Sequence, residues 1–416
     1  MKPKKHNKWI GACLLTLCAV VQAQDLDAQQ ELGTQRRIRD ALVGASDFVA
    51  ALPAAERSRE LSEAASDPGH PQDLVQLARI QSELAEFDAA ETNYLAAINL
   101  LEERDGENSA NLIAPYQGLG RSYINSQRFD EAVVVLEHAR DLSQRSAGLF
   151  NVEQSLLLDD ITMALLGTGN TFEARERQLQ RLENAVRAFG EDDPRAAPFY
   201  RHLARYYNDS RLRVSARENF AKALEIQEEQ PNNDAAVAQS LRDLLRIELL
   251  LGDEEQAKQS LEQLLATSQL DPTERALSLA LLGDAAMVEE NHAVAVKRYG
   301  EAYTALQSVS PSEAEAYFGQ PRMIDFIPPL SAVDRGRRSD PYAWGSVRLR
   351  FDVNAEGRAI DIETLQIEPE SDADAAYNRR LRETHFRPRL EQGVPTATSN
   401  VEFEHFFRYY VRNRRR

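Results

Sequence analysis

A mainly α-helical repeat body followed by a small α+β domain is the fold class that this 416-residue sequence predicts. Three observations predict it. An alanine-centred frame returns at a nearly constant interval through the middle of the chain. From Tyr317 onward the hydrophobic period changes from helical to alternating. Between the two, Pro328-Pro329 ends helix and favours extended chain.

The elements follow in chain order. Met1 to Gln24 reads MKPKKHNKWIGACLLTLCAVVQAQ. Lys2, Lys4, Lys5 and Lys8 precede an apolar run from Trp9 to Val21, and Val21-Gln22-Ala23 offers small residues at the −3 and −1 sites. This pattern predicts a secretory signal over 1–23, with a run short for a membrane span. Its removal takes away both cysteines, Cys13 and Cys18, and with them disulfide and thiol chemistry. The remaining chain is acidic. Residues 24–317 hold the excess of Asp and Glu, whereas 318–416 are slightly basic and draw their cations from arginine alone. An acidic body of this kind disfavours nucleic acid and anionic membranes.

Residues 24–70 are polar and helical in pattern, and predict a cap. The repeat frame follows over 71–308. Tyr116, Leu119, Gly120 and Tyr123, then Ala132, Leu136 and Ala139, recur as Tyr200, Leu203, Ala204 and Tyr207, then Ala216, Phe220 and Ala223. The frame returns around Gly283 and Ala295, and an earlier copy centres on Ala90. The alanine that opens the second helix of each pair falls at 90, 132, 174, 216, 257 and 295. Gly120, Ala132, Ala204, Ala216, Gly283 and Ala295 are the predicted packing residues. Small side chains there let two helices approach, and large ones three or four positions away fill the seam. No pair buries its apolar face alone, so about six pairs must stack. In the copy around Ala174 a polar Gln178 occupies the place of a large apolar residue.

This frame resembles the tetratricopeptide repeat, in a version longer than the usual one by about one helical turn per helix. The resemblance implies a concave surface that takes a peptide or protein partner.

Catalytic patterns do not emerge. GLGRSY (Gly118 to Tyr123) lacks the strand before it and the lysine after it that a phosphate loop needs. GTGNTF (Gly167 to Phe172) reads as the turn between paired helices. The histidines have no ligand spacing, so no metal site, cofactor or catalytic residue is predicted.

Residues 309–345 are read as linker and lead-in, and 346–412 as the α+β domain. Val347, Leu349, Phe351 and Val353 alternate with polar residues, as on a strand with one buried face. Asn354 to Gly357 is a hairpin turn. The return strand carries Ile360, Ile362, Leu365 and Ile367, and its change of parity predicts a bulge near Glu363 or Thr364. Ser371 to Phe386 predicts a helix, capped by Ser371 or Asp372, with Ala373, Tyr377 and Leu381 along one face. FRPRLEQGVP (Phe386 to Pro395) is read as the loop into a last aromatic strand, Val401 to Arg412, and 413–416 as a basic tail.

The order strand, hairpin, strand, helix, F-x-P, G-x-P and aromatic strand resembles the C-terminal domain of the TonB energy-transducer family over residues 320–411. The matching residues are Pro328-Pro329, Gly345, Val347, Gly357, Phe386, Pro388, Gly393, Pro395, Val401 and Phe403. That family's domain projects into the periplasm and pairs its final strand with an extended segment of an outer-membrane receptor. By position, the resemblance maps this edge to Val401, Phe403, His405, Phe407 and Tyr409, with Phe406 and Tyr410 on the other face. A homodimer seam is the competing use of the same aromatic strand. Family transducers also carry an uncleaved membrane anchor and a proline-rich spacer. Here a short lysine-led segment and helical repeats stand in those places. The expectation is therefore a periplasmic, non-enzymatic adaptor for protein partners, without nucleic acid. The alternative is an inner-membrane-anchored transducer, which touches the membrane only if Trp9 to Val21 is retained.

Overall fold

A computed structural model describes residues 27–231, 233–267, 270–329, 342–368 and 373–410. The expected signal segment, the helix cap at Ser371 or Asp372 and the basic tail lie outside these residues. The chain divides into two compact units, Met1–Glu191 and Asp192–Arg416.

The first unit is built of helices: α1 (27–44), α2 (Phe48–Ala64), α3 (His70–Glu83), α4 (Phe87–Asp105), α5 (Ile113–Asn125), α6 (Phe129–Ala147), α7 (Ser155–Gly167) and α8 (Thr171–Phe189). Short 3-10 turns precede α5 and α7. The antiparallel pairs α3–α4, α5–α6 and α7–α8 carry the repeat frame. Ala90, Ala132 and Ala174 are fully buried where each second helix meets its first. A Cβ added at Gly120 would lie 2.4 Å from Leu136 Cγ, so this glycine sets how closely α5 approaches α6. At the end of the second helix of each pair, Gly106, Gly148 and Gly190 take φ of +87°, +91° and +104°, a backbone region that side chains disfavour. The α7–α8 seam is polar where the frame departs from its pattern. Buried Gln178 donates to Thr162 Oγ1 at 3.0 Å and to Asp159 Oδ1 at 2.8 Å, and Arg181 donates to the same Asp159 oxygen at 2.9 Å. The helix register is kept because a satisfied polar side chain fills the space of an apolar one. Ahead of the repeats, α1 is tied to α3 by Arg36 and Arg39, which both pair with buried Asp73.

The second unit continues with α9 (Ala197–Asp209), α10 (Arg213–Glu228), α11 (Asp234–Leu249), α12 (Glu255–Thr267), α13 (Pro272–Val288) and α14 (His292–Val309). Ala216, Ala257 and Ala295 are buried at the same seam. A Cβ on Gly283 would meet the Tyr299 ring at 2.5 Å. Within the pairs, the tight turn uses a left-handed residue at Arg211, Gly252 and Glu290, as it does at Ala85, Gln127 and Gly169 in the first unit.

After α14 the structure departs from the expected linker. Helix α15 (Pro311–Phe318), capped by Ser310 Oγ accepting from the Glu313 N–H, buries Ala314 and Phe318 in the core of α13 and α14. The two-residue strand β1 (Arg322–Met323) follows. Apolar residues on a short capped helix need cover, and the last helix pair has an open end to offer it.

The α+β region is a three-stranded antiparallel sheet in the order β3-β2-β7, formed by β2 (Tyr342–Val353), β3 (Ala359–Glu368) and β7 (Thr398–Tyr410). Helix α16 (Ala373–Glu383) covers one face, placing Tyr377 and Leu381 among Val347, Leu349 and Phe351. The register shifts twice along β2–β3, between Arg348 and Leu349 and between Arg350 and Asp352. The extra residues fall on either side of Glu363–Thr364, and Asp361 takes a φ of +51°. Ile360, expected inside, is exposed. The helix ends at Glu383, short of Phe386, because Phe386 pairs with the lead-in: β4 (Phe386–Arg387) runs antiparallel to β1. The segment expected as a loop is a hairpin, β5 (Arg389–Glu391) and β6 (Val394–Thr396), turned by Gln392 and Gly393 at φ +52° and +82°. Leu390 at its centre is fully buried in the helical core.

Candidate functional site: the free edge of the C-terminal sheet and its seat on the last helix pair

Strand β7 is long because Val401, Phe403, His405 and Phe407 alternate with Glu402, Glu404 and Phe406. It pairs with β2 from Phe351↔Val401 to Tyr342↔Tyr410. It is the terminal strand of its sheet, and among the described residues no strand pairs with its outer edge. Thirteen residues of main chain thus border an unpaired row of N–H and C=O groups.

Of the residues that the resemblance maps to the edge, Val401, Phe403, His405 and Phe407 have their side chains on the face under α16. Val401, Phe403 and Phe407 pack into the domain core with Phe351 and Tyr377. His405 lies between Tyr377, at 5.6 Å between ring centroids, and Phe403, stacked at 6.1 Å. Burial lowers the His405 pKa below its ordinary value, and the nearby Arg211 cation adds to this. Tyr377 is pushed up to about 12 by burial. The period-two rule accounts for this placement: on a one-sided sheet the aromatic parity faces the helix. Tyr409 is placed only by its pairing with Ala343. The outer face carries Glu402, Glu404 and Phe406 from β7 beside Trp344, Arg348 and Arg350 from β2. Phe406 and Trp344 are 60% and 56% exposed.

What holds this sheet in place was not legible from motifs. Arg387, in the F-R-P stretch, is fully buried and donates through Nε and Nη2 to Asp284 of α13 at 2.9 and 2.5 Å. Tyr299 Oη donates to the same carboxylate at 2.9 Å. The guanidinium lies 4.9 Å from the Tyr317 ring centroid and 5.6 Å from that of Phe318. Burial alone would drive Arg387 toward neutrality, but the charge and hydrogen bonds of Asp284 outweigh it, and its pKa lies above the ordinary arginine value. Burial and the Asp284 charge likewise raise the Tyr299 pKa. Around this pair, Arg358 bridges to Glu290 in the turn after α13, and a Cβ on Gly357 would strike Phe386 O and Met287. His385 donates its backbone N–H to Asp325 Oδ1 at 2.8 Å, and its Nδ1 lies 2.7 Å from Asp325 Oδ2, which ties the lead-in to β4. The sheet is therefore seated on the last helix pair and is not a tethered module.

The repeat-packing residues Gly120, Ala132, Ala204, Ala216, Gly283 and Ala295 are all buried at helix seams. First helices of successive pairs also contact one another through polar ladders. In the first unit Gln117 and Arg121 donate to Asp160 at 2.6 and 2.8 Å; burial pushes that carboxyl up while both hydrogen bonds oppose it. In the second unit Arg201 donates twice to Asp243, and Arg205 and Arg246 lie 3.5 and 3.3 Å from it. Among the described residues there is no cluster of metal-ligating side chains, and no helix is long and apolar enough to cross a membrane.

No protein-family model matches the chain, and no curated protein matches it. Solved structures of low similarity do. The C-terminal part of a TPR repeat-containing protein from Cytophaga hutchinsonii shares 15% identity at a TM-score of 0.41, over 67% of this chain and 97% of its own. BtubC (BKLC) from P. vanneervenii shares 19% at 0.40, over 59% and 94%. Pseudomonas aeruginosa pilF shares 17% at 0.37, over 58% and 95%.

Proposed function

We propose that this protein is a non-enzymatic adaptor of the periplasm that binds proteins through two surfaces. The first is the face lined by the first helices of its tetratricopeptide-like pairs. The second is the outer edge of β7, which takes an extended segment of an outer-membrane protein by strand addition, as its likeness to the TonB C-terminal domain suggests. The observation that carries this reading is the thirteen-residue terminal strand with an unpaired edge, set on a helical body by a buried ion pair. Main-chain hydrogen bonds would supply affinity there, and alternate side chains specificity. The periplasmic location rests on the lysine-led apolar run of Met1 to Gln24.

In-cell crosslinking of the full chain tests it. Outer-membrane proteins joined through β7 residues support the reading. Links confined to the helices, or to a second copy of the chain, refute strand addition.

A further inference from the structure

We propose that the outer edge of β7 selects an extended segment in which basic and apolar residues alternate; this rests on the strand-addition reading above. The solvent face of the sheet is organised in charge rows that cross the strands. In one row, Arg350 of β2 stands between Glu363 of β3 and Glu402 of β7, and its guanidinium reaches Glu402 at 2.9 Å and Glu363 at 3.8 Å. In the next row, Arg348 is flanked by Gln366 and Glu404. These two rows therefore end at the free edge on an acid. Across neighbouring strands, opposite charges stabilise and like charges oppose pairing.

A strand added beyond β7 would place one residue beside Glu402 and another beside Glu404, two apart and on the same face. Both positions favour Lys or Arg. The next residue of that parity would lie beside exposed Phe406, where an apolar or aromatic side chain fits. Residues of the other parity fall on the α16 side, beside Phe403 and His405, whose rings pack against Phe326 and Tyr377. The edge thus reads a basic–apolar–basic–apolar–aromatic segment and rejects one with acids in the basic places.

The test uses the full chain and synthetic peptides followed by fluorescence anisotropy at low salt. An alternating Lys/Val peptide should bind at least about tenfold more tightly than an alternating Glu/Val peptide, the sum of two pairs changed from attractive to repulsive. A block-shuffled Lys/Val peptide should bind weakly, because its charges cannot match the rows. The double variant E402K/E404K should reverse the preference; E402T/E404T, which keeps strand-forming side chains, should abolish it. Equal binding of the Lys/Val and Glu/Val peptides would overturn the charge reading while leaving strand addition in place. Equal binding of the alternating and shuffled peptides would overturn it as mere attraction to an acidic chain. Weak or no binding of every alternating peptide, with amide exchange of β7 unchanged, would overturn strand addition itself.

Discussion

Replacing Arg387 with methionine tests how the C-terminal sheet is held. Methionine keeps much of the buried volume but removes the charge and two hydrogen bonds to Asp284. The Asp284 carboxylate, itself buried, then retains only the Tyr299 hydroxyl. Breaking a buried pair from one side costs roughly 3–5 kcal/mol, because the remaining charge is left uncompensated. In a unit of this size each kcal/mol moves Tm by roughly 2–4 °C, so Tm of the second unit should fall by about 10 °C. Trp344, on β2, reports the sheet by fluorescence, and circular dichroism reports the helices. Because Leu390 and Phe318 share one core with α13 and α14, both probes should shift together. Adding Asp284→Asn to the methionine variant removes the orphaned charge yet keeps an acceptor for Tyr299, and should recover most of the loss. A methionine variant within about 1 kcal/mol of the parent, or a double variant no better than the single, would refute the reasoning.

Three further outcomes are expected. Gly120→Ala should lower Tm of the first unit by an overpacking cost of roughly 1–3 kcal/mol, because its Cβ would meet Leu136 Cγ at 2.4 Å; an unchanged melt would contradict the helix register. Glu248 has its pKa pushed up to about 7, chiefly by burial and then by Asp253. Its folded pKa lies above its unfolded one, so the penalty is absent below pH ~4.3 and grows as pH rises through 7. Glu248→Gln should therefore raise Tm at pH 8 and leave it unchanged at pH 4, as calorimetry at the two values would show. Gln178→Leu should cost less than about 1.5 kcal/mol in urea unfolding or stabilise, since Thr162 keeps Leu158 O and Asp159 keeps Arg181 when the amide is gone.

The helical body was legible because each pair repeats one local solution. The buried alanines and the left-handed turn residues from Ala85 to Glu290 keep the same step. Gly106, Gly148 and Gly190 offered a second periodic signal at the outer turns, which the alanine frame alone leaves unused. The alternating β2 pattern was equally readable, since one buried face fixes its parity. The hairpin β5–β6 was hidden because its strands are only three residues long, too short for alternation to show, although Gln392-Gly393 is a fitting two-residue turn. The alternation of β7 is equally readable, and its aromatic parity marks the face under α16. The Arg387–Asp284 pair joins residues 103 apart in sequence, beyond any local pattern. Its one trace was Asp284 itself, the only charge between Arg275 and Glu289 in a helix otherwise apolar or small. A lone acid in such a setting calls for a partner.

The most direct test of the central claim, that β7 takes an extended segment along its edge, is photo-crosslinking from the full chain with the probe placed first at position 404 and then at position 406. Strand addition predicts that the linked residue on the partner moves by two when the probe moves by two, since both positions lie on one face of one strand. Links that do not move with the probe, or that join only a second copy of the chain, would contradict the account.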